Sequence, residues 1–124
     1  MIAADTSSLV AYFSGASGTD VEGLAAALAG GQLVLPPAVV TEVLSDPATT
    51  SVFEAEISLL ETLTISEGYW LRAAHLRRKL QRNRLKAKVA DALIAQSCID
   101  HDVPLITRDR GFRHFAKHCG LRLA

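Results

Sequence analysis

Positive charge is missing from the first 71 residues, which contain nine Asp or Glu side chains and no Lys or Arg. All thirteen basic residues come later, so a net charge of zero conceals a complete separation of sign along the chain. The seventeen residues 72–88 are rich in basic side chains and contain no acid. Such a run is typical of a surface that binds a polyanion, and nucleic acid is the first candidate. A solvated helix face is the alternative. This basic segment carries eight of the thirteen: Arg72, Arg77, Arg78, Lys79, Arg82, Arg84, Lys86 and Lys88.

Cysteines and long apolar runs are also scarce. Cys98 and Cys119 are the only cysteines and lack paired ligand spacing, which argues against a disulfide or a thiolate metal site. No stretch reaches the roughly 20 apolar residues that span a bilayer, and the first residues do not have the pattern of a signal peptide. We therefore expect a soluble cytoplasmic protein without membrane contact. The 124 residues, 49% of them hydrophobic, predict a single domain over residues 1–124.

Short β-like runs alternate with helical stretches along the whole chain. Helices are predicted for residues 6–13 and 89–101, before Gly30-Gly31, after Pro36-Pro37, and after Trp70, where the basic segment begins. Strands that are separated by helices pair in parallel through crossover connections. The alternation therefore predicts a three-layer α/β domain. The strand candidates are residues 2–4, 33–35, 63–65, 103–106 and 121–123.

Four acidic residues stand at positions that suggest chemistry. Asp5 and Asp109 each follow an apolar strand and precede a helix, which is the edge of an open parallel sheet where ligands bind. Glu42 follows the second strand by seven residues and lies in a short, largely apolar helix. Asp91 heads a helical row of apolar side chains that faces the core. We predict that these four carboxylates meet at one edge of the sheet.

Each acid also has an ordinary structural explanation. Asp5 and Asp109 suit helix N-caps, Asp91 suits a first helical turn, and Glu42 suits a solvated position. Carboxylates about 4 Å apart, however, repel by roughly 4 kcal/mol per pair at a surface-like dielectric, against about 1 kcal/mol from one cap. If they converge, a cation must offset the repulsion. An open, all-oxygen ligand set suits Mg²⁺ or Mn²⁺, and phosphoryl chemistry is its natural use.

The motifs around these acids resemble those of a known family. Asp5-Thr6-Ser7-Ser8-Leu9-Val10, Glu42 after Pro36-Pro37, Asp91-Ala92-Leu93-Ile94-Ala95 and the run from Leu105 to Phe112 follow one another in the order and spacing of PIN-domain ribonucleases. The chain is specifically similar to the VapC-type toxins of bacterial toxin/antitoxin pairs. The likeness covers the whole chain, and the two C-terminal motifs together are its most specific part.

The resemblance implies a three-layer α/β/α domain with a four- or five-stranded parallel sheet, Mg²⁺-dependent endoribonuclease activity, and a small antitoxin protein that blocks the acidic pocket. It also implies a homodimer. The acidic site would comprise Asp5, Glu42, Asp91 and Asp109, with Asp5, Asp91 and Asp109 as metal ligands, and Mn²⁺ able to replace Mg²⁺. Ser7 and Thr107 would be supporting hydroxyls. Relatives often carry another acid just after the last motif, where this chain has Arg110 and Gly111, so one ion is expected in the resting protein.

The sequence leaves three other interpretations of its function open. His114 and His118 have zinc-ligand spacing, but Phe115 stands where a zinc protease would have its glutamate. Asp5-Thr6-Ser7 after a strand is compatible with a phosphoaspartyl phosphatase, although Ser7 replaces the second aspartate expected there. The third is a catalytically silent module that binds RNA or protein, and the presence of all four acids argues against it.

Overall fold

The structure is a computed structural model that describes residues 1–124, and seven helices and four strands alternate along the chain. The predicted first helix and first two strands are confirmed at their predicted bounds. In chain order the elements are β1 (Ile2–Ala4), α1 (Thr6–Phe13), α2 (Thr19–Ala29), β2 (Leu33–Leu35), α3 (Pro37–Leu44), α4 (Ser51–Ser58), β3 (Glu61–Thr62), α5 (Tyr69–Arg82), α6 (Val89–Asp100), β4 (Leu105–Ile106) and α7 (Phe112–Cys119).

All four strands pair in parallel, in the order β3-β2-β1-β4. The chain builds outward from β1 through β2 to β3 and then crosses back to place β4 on the other side of β1. The order of strands therefore reverses at β1, and a crevice opens at the carboxyl ends of β1 and β4. The predicted three-layer α/β/α fold with a four-stranded parallel sheet is confirmed.

Three predicted strands differ from those observed. The fourth was placed at residues 103–106, whereas β4 is only Leu105–Ile106. The third was placed at residues 63–65, whereas β3 is Glu61–Thr62. This strand lies at the edge of the sheet and both side chains are exposed, so it carries no apolar signal; the buried Leu63 follows it. Residues 121–123 form no strand but one parallel bridge, Leu105 with Leu123, because β4 is only two residues long.

The core lies between the buried sheet and its helices. A cluster of 25 buried residues includes the side chains of β2 and β4 and most of β1. Helix α6 contributes six buried residues, which is why its sequence reads as an apolar row. Pro36 and Pro37 begin α3 with a backbone already suited to the first helical turn. No helix is both long enough and apolar enough to span a membrane.

Candidate active site

Asp5 forms the floor of the crevice at the carboxyl end of β1. Its side chain is 3% exposed and accepts four contacts: from Ser7 Oγ at 2.8 and 3.0 Å, from the Ser8 backbone N–H at 3.1 Å, and from Thr107 Oγ1 at 2.6 Å. The Ser8 bond makes Asp5 the N-cap of α1. Burial raises the pKa of Asp5, and the hydrogen bonds from Thr107, Ser8 and Ser7 oppose that rise. The two hydroxyls expected to support the site thus both donate to Asp5.

Asp91 lies in the first turn of α6 and has a very different environment. It is partly buried and accepts no hydrogen bond from another side chain or from a backbone N–H outside its helix. Its pKa is raised to about 6, chiefly by burial and also by the negative charges of Asp109, Glu42 and Asp5, against a lowering by Lys88. The favourable helix dipole is outweighed. The three other predicted acids therefore all lie within electrostatic range of Asp91.

Glu42 and Asp109 are exposed at the rim of the crevice. Thr6 Oγ1 donates to Glu42 Oε1 at 2.7 Å, which ties α1 to α3 and turns the carboxylate toward the site. In the loop after β4, the Gly111 backbone N–H donates to Asp109 Oδ1 at 2.8 Å, and the Asp109 N–H donates to Thr107 Oγ1 at 3.0 Å. These two bonds fix the local conformation of the loop around Asp109.

Gly111 leaves open a small space between two of the acids. A side chain at this position would have its Cβ 3.1 Å from Asp109 Oδ1 and 3.9 Å from Asp91 Oδ2. Both carboxylates therefore face the same space, and any residue larger than glycine would enter it. The oxygen-only donors around this space are those preferred by hard divalent cations. No group of three or more His, Cys, Asp or Glu side chains is already assembled so that it could hold a metal ion.

The sequence of residues 2–118 matches the family model of the PIN domain. The chain belongs to the PIN domain family. None of the curated proteins matches the sequence significantly.

Three solved structures share this PIN fold over nearly their whole length. A chain of VapBC2 from Rickettsia felis, bound to a DNA fragment from the promoter, is 21% identical with a TM-score of 0.74, covering 100% of this chain and 98% of that one. A toxin-antitoxin complex from Klebsiella pneumoniae is 24% identical with a TM-score of 0.69, and the match covers 98% of this chain and 95% of that one. VapBC-5 from Mycobacterium tuberculosis is 19% identical with a TM-score of 0.67, and the match covers 98% of this chain and 95% of that one. At these identities the likeness establishes the fold.

The basic segment of this PIN domain is divided between two uses. Arg72 forms an ion pair with Asp100 at 2.7 Å, while Arg77 and Lys79 each donate to a backbone carbonyl, at 2.7 and 2.6 Å. These three are engaged within the protein. The other five are exposed and take part in none of its ion pairs: Arg78, Arg82, Arg84, Lys86 and Lys88.

Two groups near the acids were not singled out from the sequence. Thr6, which orients Glu42, sits inside the first motif but has no spacing that distinguishes it from any capping residue. Asp20 and Arg108 form an ion pair beside Asp5, at 2.8 Å, although 88 residues separate them. Only the position of Arg108 within the last motif pointed to it.

The cysteines of the PIN domain are both free thiols. Burial raises the pKa of Cys98 to about 12 and also raises that of Cys119. A neutral, buried thiol is a weak nucleophile and a weak metal ligand. Cys98 is accordingly a core residue of α6.

Proposed function

We propose that this PIN domain is a divalent-metal-dependent endoribonuclease and the toxin of a toxin/antitoxin pair. The observation that carries the proposal is the unpaired carboxylate of Asp91, partly buried within range of Asp5, Glu42 and Asp109. Four acids, contributed by the end of β1, by α3, by α6 and by the loop after β4, raise the energy of the folded chain when no cation is present. A metal-dependent hydrolytic site at the carboxyl edge of the sheet explains why four carboxylates are placed close together there.

Asp5, Asp91 and Asp109 would hold the cation, Mg²⁺ or Mn²⁺, at the space beside Gly111. Such an ion supplies an acidified water as nucleophile and positive charge for the departing oxygen of a phosphodiester. The three acids do not form a closed ligand set by themselves, and Asp109, which is exposed on the loop after β4, would complete the set with Asp5 and Asp91. The missing acid after the last motif favours one resident ion.

The protein's own side chains divide the remaining work. Ser7 and Thr107 fix Asp5 by donating to both of its oxygens, and these hydrogen bonds oppose the rise in its pKa that burial causes. Thr6 holds Glu42 through Oε1 alone, so Oε2 at the rim is free to accept the proton that an attacking water gives up.

RNA is the proposed substrate, and the five exposed basic residues would hold its phosphates. Lys88 immediately precedes α6, three positions before Asp91, and its positive charge lowers the pKa of the Asp91 carboxylate. The end of the basic segment at Lys88 therefore lies near the acidic site. A strand whose phosphates follow this segment would bring one of them to the acids.

The test is cleavage of structured RNAs by the purified protein, with Mg²⁺ and with EDTA. We expect cleavage only with the metal. No three acidic side chains are gathered closely enough to hold a metal ion together, so a silent binding module is the second candidate. Such a module would shift RNA equally with Mg²⁺ and with EDTA and leave it intact, and that result would refute the proposed activity.

An antitoxin partner is proposed because the similar solved structures include toxin-antitoxin complexes. A groove of about 380 Å³ between α1 and α4 suits such a partner. Phe13 and Phe53 stack in it at a centroid distance of 4.1 Å, and Asp46 and Glu56 flank them. A partner segment with apolar and basic side chains would fit. Mass analysis of the complex purified from the native host should reveal a small protein, and a chain that purifies alone would contradict this.

A homodimer is also proposed, through a separate apolar surface. Ile65, Trp70 and Val89 are 47%, 62% and 57% exposed, and all three line one depression that also contains Leu93. Adjacent exposed apolar residues of this size are typical of an interface. Light scattering should give twice the chain's 13.3 kDa, and Trp70→Asp should return the mass to one chain. A wild-type monomer at all concentrations would exclude the dimer.

A further inference from the structure

The ion pair between Asp20 and Arg108 is more ordered than a typical surface ion pair, because two hydrogen bonds join the guanidinium to both carboxylate oxygens. Arg108 Nε lies 2.8 Å from Asp20 Oδ2, and Nη2 lies 3.0 Å from Oδ1, so both oxygens are engaged. Nη2 also donates to the Ser17 carbonyl at 3.0 Å. The Asp20 side chain is only 13% exposed, and the interaction lowers its pKa to about 2. Two-point pairs of this kind fix orientation as well as distance.

The backbone next to the ion pair has a glycine, Gly18, where a side chain would collide with the pair. Gly18 adopts φ +143°, and a Cβ built there would lie 2.6 Å from Asp20 Oδ1 and 3.1 Å from Arg108 Nη2. A side chain at position 18 would therefore enter the ion pair. Position 18 combines a backbone conformation that L side chains rarely adopt with a close approach that only glycine allows.

Two short chains of hydrogen bonds join this pair to Asp5. Ser8, which is fully buried, donates from Oγ to Asp20 Oδ2 at 2.8 Å and from its backbone N–H to Asp5 Oδ1 at 3.1 Å. The Arg108 backbone N–H donates to Ser7 Oγ at 3.4 Å, and Ser7 Oγ donates to Asp5. The pair and Asp5 are thus held by the same two residues of α1.

Arg108 directly precedes Asp109 in the loop that carries it to the other acids. That loop is held to the body of the protein by Thr107 on Asp5 and by Arg108 on Asp20. Repulsion from Asp91 and Asp5 pushes Asp109 outward. An anchor on the residue just before it opposes this displacement.

We propose that Asp20 and Arg108 are positioning residues of the acidic site, which hold the loop 107–111 so that Asp109 faces Asp91 across the space at Gly111. The proposal rests on the proposed function for its metal, but not for the geometry that it assigns. Groups that orient metal ligands through one intervening contact commonly change metal affinity 10- to 100-fold when removed.

A second ion pair in the same chain supplies a matched control. Arg72 and Asp100 are joined by Nε to Oδ1 at 3.1 Å and Nη2 to Oδ2 at 2.7 Å, and their side chains are 41% and 11% exposed against 38% and 13% for Arg108 and Asp20. Asp100 ends α6, nine residues from Asp91, which is roughly 13 Å along the helix. Asp100→Asn therefore removes a similar pair without touching the loop.

The experiment compares Asp20→Asn with Asp100→Asn in the full chain. The first measurement is amide hydrogen exchange over residues 107–111 in metal-free protein. We expect faster exchange in Asp20→Asn than in the wild type, and wild-type exchange in Asp100→Asn. Unchanged exchange in Asp20→Asn overturns the proposal. If that variant fails to fold, Arg108→Gln breaks the same pair from the exposed side and takes its place.

The second measurement is binding of Mn²⁺ alone, followed by calorimetry. We expect Asp20→Asn to bind Mn²⁺ about tenfold more weakly than Asp100→Asn, at comparable melting temperatures. Equal affinities in the two variants overturn the positioning role. If the wild type binds no Mn²⁺, the proposed metal-dependent function fails, and the exchange measurement alone then decides whether the pair holds the loop.

Discussion

Asp5 and Asp91 lie in the same crevice but are held in opposite ways. Asp5 is almost fully buried and accepts hydrogen bonds from two hydroxyls and a backbone N–H. Asp91 is less buried, yet it has no such donors, and its pKa rises to about 6. Burial raises the pKa of both carboxylates, but hydrogen-bond donors oppose the rise at Asp5, whereas Asp91 has no such donors and is raised further by the neighbouring negative charges.

The same distinction separates the basic residues. Arg72 forms an ion pair with Asp100 and donates to acceptors in the loop before α5, the Glu67 carbonyl and Ser66 Oγ. Arg78 and Arg82, by contrast, project into solvent. Charges satisfied within the chain serve the fold. Charges left unsatisfied are available to a ligand, and the proposed function assigns a cation to Asp91 and RNA phosphates to the exposed residues of the basic segment.

The largest expected effect is the loss of cleavage in Asp91→Asn. Removing one group that manages transition-state charge typically costs a factor on the order of 10²–10³ in rate. RNA cleavage in Mg²⁺ measures this loss. Metal-free Asp91→Asn should melt no lower than the wild type, because the substitution relieves repulsion. A large drop in its melting temperature would instead make Asp91 a structural residue.

The next effect concerns stability and falls on Asp5. Asp5→Ala removes the N-cap of α1 and leaves the hydroxyls of Ser7 and Thr107 without their acceptor. We expect a loss of about 2 kcal/mol in the free energy of unfolding, measured in urea. If Asp5→Ala and Asp91→Asn prove equally stable, the contrast between the two carboxylates is not real.

A smaller effect is expected for the basic residues. Arg78→Ala with Arg82→Ala should weaken RNA binding by about tenfold and reduce the slope of log K against log salt by about 0.7 for each lost phosphate contact. Arg72→Ala should lower the melting temperature and leave that slope unchanged. An unaltered slope in the double variant would remove α5 from the RNA interface.

A further effect is expected on the pH dependence of metal-free stability. The pKa of Asp91 is about 6 in the folded protein and near the ordinary value of 3.8 when unfolded, so the folded state binds the proton more tightly. Stability from this residue is present below about pH 4 and is lost as pH rises through about 6. Thermal melting from pH 4 to 7 should show this fall in the wild type, and a smaller fall in Asp91→Asn. Equal profiles would place the titrating group elsewhere.

The order of elements was predictable because helices and strands have different apolar spacings. Residues 2–4 and 33–35 are buried strands with continuous apolar runs, and both were located correctly. The edge strand β3 was misplaced because Glu61 and Thr62 are both exposed and obey no apolar pattern. Single contacts such as Leu105 with Leu123 depend on how the sheet is completed, which no local pattern records.

For the site, local sequence identified which acids follow strands or open helices, since those positions are set by the backbone within a few residues. It could not reveal that Asp20 pairs with Arg108, or that Thr6 orients Glu42, because neither contact has a spacing rule.

The linear chain by itself determined the alternation of elements, the separation of acidic and basic residues, and the family motifs, all of which are short-range patterns. Only the tertiary structure decided which charges are satisfied. Crossing back to place β4 beside β1 brings residues about one hundred positions apart into contact, and whether a buried carboxylate then finds a donor depends on that meeting.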